Sequence, residues 1–296
     1  MRLDRFLTLI LFGPLCRTGA TRRRRRFPIL MYHSVSDKRE DRVSPYYRTA
    51  THPSAFARQM KLLQSMGYKG VNLKTWRAAF DAGQLQNAKL AVLTFDDGFR
   101  DFYTSAFPFL NQYGFSATVF LPTGFIGESS RAFKSRGCLT WSEVRELHAA
   151  GIQFGSHTVT HPKLVDLSWQ AVRNELRDSK AEIERRLGSA VDSFAYPYAF
   201  PGRDARFVTY FRQELRDAGY ACCATTELGC VKPGDDPYRL KRLPVNSVDD
   251  AALFRAKLEG GYDWLAFPQS VVKKFKLSSS RKRNGVPGQT ARAVSN

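Results

Sequence analysis

The stretch Ala91-Val92-Leu93-Thr94-Phe95-Asp96-Asp97-Gly98 decides how this chain is read. An apolar run from Leu90 to Phe95, interrupted only by Thr94, ends in two carboxylates and a glycine. Such a run, short and closed by a turn signal, is the pattern of a buried parallel strand. Parallel α/β folds carry their chemistry at the carboxyl ends of strands, where Asp96 and Asp97 fall. Strand side chains alternate between faces, so the two acids are expected to serve different tasks. For these three residues alone, a solvated Asp-Asp-Gly turn is the competing reading.

A second stretch, Phe154-Gly155-Ser156-His157-Thr158-Val159-Thr160-His161-Pro162, adds two of the five histidines, four positions apart. On a helical turn that spacing places both imidazoles on one face, close enough to share a metal ion. One carboxylate with two imidazoles is a facial set that leaves positions open for water and substrate. Surface or capping histidines would show the same spacing.

Outward from these stretches, apolar periodicity alternates between two and 3.6 residues. Strands are expected at 27–33, 68–73, 116–121, 152–155, 193–196 and 220–225. Between them, helices are expected at 53–66, from a Thr75 cap to Gly83, at 102–113, from the Thr140–Glu143 capping box to Gly151, from a Ser168 cap to 187, and at 206–218. This β–α alternation predicts a parallel, barrel-like α/β fold with its site at the strands' carboxyl ends.

The chain has 296 residues, 43% of them hydrophobic, and a net charge of +19. Residues 1–26 hold eight arginines and one aspartate, and residues 269–296 hold seven Lys or Arg and no acid, so the charge belongs mostly to the ends. Basic ends suit an anionic surface such as phospholipid, acidic glycan or nucleic acid, or simply a solvated, disordered tail. The apolar segment 6–15 superficially resembles a signal peptide, yet Arg17 and the run 22–26 resist translocation. Placement in the cytoplasm or on the cytoplasmic membrane is favoured over export to the cell envelope. Five cysteines without metal-ligand spacing point to buried thiols rather than to a disulfide framework.

Taken together, Thr94-Phe95-Asp96-Asp97-Gly98 and Ser156-His157-Thr158-Val159-Thr160-His161 resemble the first two motifs of the polysaccharide deacetylases, the NodB-homology family (carbohydrate esterase family four). Met31-Tyr32-His33-Ser34-Val35 and Phe194-Ala195-Tyr196-Pro197-Tyr198 resemble the subgroup acting on exopolysaccharides built on N-acetylglucosamine. The resemblance covers residues 27–268, leaving a basic amino-terminal segment, 1–26, as a possible membrane-surface anchor and a basic tail, 269–296. It implies a distorted (β/α) barrel of about seven units. It implies Asp97, His157 and His161 as ligands of one divalent ion, zinc first, with nickel, cobalt and iron fitting the same set. Asp96 would be the general base, His33 the acid that protonates the leaving amine, and the Tyr198 N–H an oxyanion donor. Ala195 stands where the wider family often has an arginine that orients the base, and Arg242 is the hypothesised replacement. The implied substrate is an N-acetylated glycan, and nucleic acid is not favoured as a partner. Hydrolysis of a non-sugar C–N bond, or glycan or nucleic-acid binding without catalysis, are the rival functions.

Overall fold

The computed structural model describes residues 3–17, 26–38, 40, 42–84 and 89–266. The basic tail 269–296 and the arginines at 22–25 lie outside the described residues. In chain order the principal elements are β1 (Ile29–Tyr32), α1 (Pro53–Ser65), β2 (Lys69–Val71), α2 (Leu73–Asp81), β3 (Leu90–Phe95), α3 (Phe107–Gln112), β4 (Thr118–Leu121) and α4 (Trp141–Ala149). Then follow β5 (Gln153–Ser156), α5 (Trp169–Leu187), β6 (Ser193–Ala195), α6 (Ala205–Asp217), β7 (Cys222–Leu228), β8 (Leu240–Pro244) and α7 (Ala251–Leu258).

Seven strands close a parallel ring in the order β1-β8-β7-β6-β5-β4-β3, and β3 pairs back onto β1 through Ile29–Val92 to Tyr32–Phe95. The remaining strand, β2, pairs with the amino half of β3, while β4 takes over the carboxyl half. The Ser116 N–H donates to the Gly70 carbonyl at 3.1 Å, so β2 wedges in where β3 and β4 diverge. This is the distorted (β/α) barrel that the alternation predicts.

Period-two alternation divides the apolar residues into two clusters. Ile29, Val92, Phe120, Ala195, Ala224 and Leu240 fill the barrel, and Phe27, Leu73 and Trp76 join them. The neighbours Leu30, Leu93, Val119, Phe194 and Leu243 face outward and pack in the larger cluster with the helices. The barrel is narrow. A Cβ on Gly155 would stand 2.6 Å from the Phe120 ring and 2.8 Å from Ser193 Oγ, so this inward position on β5 has room for glycine alone.

The helix signals act as read, with one exception. Thr140 and Glu143 exchange both capping-box bonds, and Ser168 caps α5, which stops at left-handed Gly188. For α2 the cap is Asn72 rather than Thr75. The Asn72 Oδ1 accepts from the Thr75 N–H at 2.8 Å, which makes Thr75 the third helical residue. The helix expected at 102–113 opens with a wide π-type turn, Phe102–Ala106, before α3. Two elements escaped the pattern: β8, whose Lys241 and Arg242 obscure its alternation, and α7. All five cysteines are free thiols, four of them buried.

Gly155→Ala is expected to cost about 1–3 kcal/mol, the range for overpacked cores. Urea denaturation should show Phe120→Leu recovering part of that loss in the double variant, because the two side chains compete for one space.

Candidate active site

Asp96 prolongs the inward face of β3 that begins with Val92 and Thr94. Its carboxylate is 3% exposed and meets a guanidinium that is 0% exposed: Arg242 Nη1 and Nη2 donate to its two oxygens at 2.7 and 2.8 Å. Arg242 reaches there from β8, donating also from Nε to the Thr225 carbonyl at 2.9 Å and from Nη1 to Thr94 Oγ1 at 3.3 Å. The Phe120 ring lies 5.9 Å from the guanidinium carbon. Burial opposes ionisation of Asp96, and the positive charge of Arg242, aided by His157 and His33, outweighs it and holds the carboxyl below its usual range.

Asp97 leaves the pleat. Its φ of 72° is left-handed, unusual for a residue with a side chain, and it brings the carboxylate to the barrel mouth. There Asp97 Oδ1 lies 3.1 Å from His161 Nε2 and 3.6 Å from His157 Nε2. Burial works against its charge too; the imidazoles of His161, His33 and His157 and the Lys134 ammonium outweigh burial and keep it well below the ordinary carboxylate value.

The two histidines converge without a helix, contrary to the expectation from their spacing. They sit on the loop after β5, folded by left-handed residues at Thr158 (φ 70°) and His161 (φ 55°). Side chains hold that shape where helical hydrogen bonds do not. The Glu175 carboxylate on α5 accepts from the Val159 N–H at 2.7 Å, the Thr160 N–H at 3.0 Å and Thr160 Oγ1 at 2.7 Å. Thr158 Oγ1 accepts from the His161 N–H at 2.9 Å. The His157 Nδ1–H donates to the Ala195 carbonyl at 2.7 Å, which leaves the Nε2 lone pair facing Asp97. Burial pushes the His157 imidazole down to about 4, so it stays neutral near pH 7.

One ligand atom from each of Asp97, His157 and His161 lies within 4.8 Å of the others, and all three residues are buried. Asp97 Oδ1 and His161 Nδ1 are buried without a hydrogen bond. A neutral imidazole at His157 and an ionised carboxylate whose buried Oδ1 has no hydrogen bond fit a divalent cation well.

Around this cluster opens a cavity of about 590 Å³, lined by His33, Asp96, Asp97, His157, His161 and Tyr198, and also by Tyr46, Tyr47, Lys38 and Arg48. Arg242 lies beneath, outside the lining. Burial pushes the His33 imidazole below its usual value; Asp96 and Asp97 pull it up, and Lys134 and Arg242 push it down. Tyr198 is left-handed (φ 58°), half-exposed, and stands edge-on to the His161 ring at 4.7 Å. Thr226 Oγ1 donates to the Tyr198 carbonyl at 3.0 Å and fixes that turn.

Two residues the sequence reading did not single out belong here. Glu175 is one, since nothing in a helix pattern marks a residue that clamps a distant loop. Lys134 is the other. It stands with Ser135 at the tip of a small antiparallel pair, Ala132–Phe133 with Arg136–Gly137, both tip residues being left-handed. Lys134 Nζ lies 3.0 Å from Asp97 Oδ2, and the Phe133 ring lies 5.0 Å from that of His161.

Comparison with known proteins agrees with this geometry. Residues 83–223 match the family model described as polysaccharide deacetylase. YxkH of Bacillus subtilis (strain 168), assigned by its name to the polysaccharide deacetylases, is 30% identical over 237 residues, covering 79% of this chain and 76% of its own. The poly-beta-1,6-N-acetyl-D-glucosamine N-deacetylase of Staphylococcus aureus (strain MSSA476) is 26% identical over 207 residues, 67% of this chain and 68% of that one. Among solved structures, the Streptococcus pyogenes deacetylase PplD, in complex with acetate, superposes with a TM-score of 0.69 at 25% identity, covering 79% of this chain and 99% of that one. The chain belongs to the polysaccharide deacetylase family.

Removing one partner of a buried ion pair strands a charge in an apolar barrel. Arg242→Met is therefore expected to cost about 3–5 kcal/mol in chemical denaturation. Adding Asp96→Asn should restore part of that stability, because the orphaned charge is gone.

Proposed function

We propose that this polysaccharide deacetylase is a metal-dependent N-deacetylase acting on a glycan built on N-acetylglucosamine. One observation carries the reading: His33, Asp96, Asp97, His157, His161 and Tyr198, four sequence motifs apart, line a single cavity over a buried arginine. The activity for which the Staphylococcus aureus relative is named supports the substrate class.

Cleaving an acetamide requires a water made nucleophilic, a stabilised oxyanion and a proton for the departing amine. Asp97, His157 and His161 would hold a divalent ion, zinc by preference, whose bound form supplies Lewis acidity and lowers the pKa of water toward ~7. Asp96 takes the proton from the attacking water, its carboxylate held in orientation by the two bonds from Arg242. The backbone N–H of Tyr198 donates to the oxygen of the tetrahedral centre. When the C–N bond breaks, His33 gives its proton to the amine nitrogen, so acetate and a free amino sugar leave. Tyr46, Tyr47 and Tyr198 offer aromatic faces to the pyranose rings, and Lys38 and Arg48 offer donors to hydroxyl groups. We assign this activity to residues 27–268.

The test is acetate release from β-1,6- and β-1,4-linked N-acetylglucosamine oligomers by protein reconstituted with zinc, nickel, cobalt or iron. Metal-dependent release, reduced at least ~100-fold in Asp96→Asn, is the expected outcome. Stoichiometric metal binding with no release from either oligomer would overturn the substrate assignment.

Lys134 gives a second measurable consequence. Its ammonium neutralises the same carboxylate that would ligate the cation, so Lys134→Met is expected to tighten metal binding a few-fold. That corresponds to roughly 0.5–1 kcal/mol for a half-exposed ion pair, read by competition with a chromophoric chelator.

A further inference from the structure

Residues 3–17 form three consecutive helical turns, Leu3–Leu7, the π-type Thr8–Phe12 and Gly13–Arg17. One side of this segment is fastened to the body at every fourth residue. Tyr262 OH donates to Asp4 Oδ2 at 2.7 Å, Trp264 Nε1 donates to Thr8 Oγ1 at 3.0 Å, the Phe12 and Trp264 rings stack at 4.8 Å, and Cys16 Sγ reaches the Gly260 carbonyl at 3.5 Å. Arg5 pairs with Asp250, the cap of α7, so the segment lies alongside that helix from its first residue to beyond its last. A regular helix drifts about 40° over four residues; the wider π turn takes up that drift and keeps residues 4, 8, 12 and 16 on one line.

The same register fixes an opposite line. Leu3, Phe6, Ile10, Leu11 and Leu15 stand between 39% and 67% exposed, and they make up half of the large apolar side chains exposed among the described residues. A soluble body has no reason to hold such a stripe outward by four side-chain contacts. The sequence next to it is strongly basic: Arg2 and Arg17 stand at its two ends, and Arg22, Arg23, Arg24 and Arg25 follow. Fifteen residues of helix rise roughly 22 Å, short of the ~30 Å hydrocarbon core, and the segment is tied along its length to α7. An apolar stripe beside a basic run fits a surface that is apolar below and anionic above.

We infer that the amino-terminal segment seats the enzyme on an anionic phospholipid surface, with Leu3, Phe6, Ile10, Leu11 and Leu15 entering the headgroup–acyl boundary and the basic composition of the adjoining sequence favouring anionic lipid. The inference stands apart from the deacetylase reading, because binding is read without turnover.

The experiment is sedimentation of the full chain with vesicles of phosphatidylcholine alone and of phosphatidylcholine mixed with phosphatidylglycerol. The wild type is expected to pellet with the anionic vesicles, at least roughly ten-fold more tightly than with the neutral ones. Ile10→Glu with Leu15→Glu should abolish that binding while thermal stability stays unchanged. Arg22→Ser, Arg23→Ser, Arg24→Ser and Arg25→Ser together should remove the preference for anionic lipid, and this variant decides the matter if the glutamate variant proves unstable. Wild type remaining in the supernatant with both vesicles would overturn the inference. So would an unweakened arginine variant, or concentration-dependent self-association, abolished by the glutamates, in place of vesicle binding; that last result would assign the stripe to a second copy of the chain.

Discussion

Everything at the barrel mouth depends on one buried ion pair. Asp96 and Arg242 lie on β3 and β8, strands separated in the ring by β1, and the guanidinium crosses that gap inside the barrel. A carboxylate in this position costs several kcal/mol of lost hydration unless a partner meets it in good geometry. The two-pronged contact supplies that partner, and the Thr225 carbonyl with Thr94 Oγ1 takes up further donors of the guanidinium. The Phe120 ring lies 5.9 Å from the guanidinium carbon on the barrel side. Packing, hydrogen bonding and charge thus converge on a single orientation of Asp96, the orientation a general base would need.

Backbone strain is concentrated in the same place. The described residues other than glycine with positive φ are Asp97, Lys134, Ser135, Thr158, His161 and Tyr198, and every one lies in or beside the cavity. Each such conformation costs of order 1–3 kcal/mol and persists only where its surroundings over-determine it. The surroundings do so here: Glu175 fixes the histidine loop, Thr226 fixes the turn at Tyr198, and the closed ring fixes the end of β3. The effect is to convert residues that regular strands or helices would scatter into one converging set. Asp97 shows it most directly, since the pleat alone would send its carboxylate toward the helices.

This contrast explains what could be read from the sequence. Burial and alternation are properties of consecutive residues, so the strand ending at Phe95, the capping box at Thr140 and the cap and stop of α5 were legible. The separation of Asp96 from Asp97 followed from alternation, although the left-handed turn that aims Asp97 did not. The histidine spacing pointed to convergence by way of a helix, and the chain achieves it through a loop, because four residues with two left-handed turns span the same gap. Glu175 and Lys134 were silent. Their roles depend on which segments the barrel brings together, and local patterns carry no record of that. The segment 3–17 shows the same limit: its apolar residues and arginines are plain in the sequence, but which of its faces is fastened to α7 is not.

The departure at Ala195 can be understood in the same physical terms. Where the resemblance implies an arginine on β6, this chain has an alanine whose carbonyl orients His157 and whose small side chain faces the barrel interior. Phe120 already fills the space over Gly155 there, which leaves the interior narrow around the guanidinium beneath Asp96. Asp96 requires positive charge along its two oxygens and is indifferent to the strand that delivers it. Arg242 delivers that charge from the opposite side of β7, and an arginine placed at position 195 would compete with it for the space above Phe120. What this site maintains is electrostatic, a compensated carboxylate in a closed apolar barrel, and the end point of the guanidinium matters more than the strand that carries it.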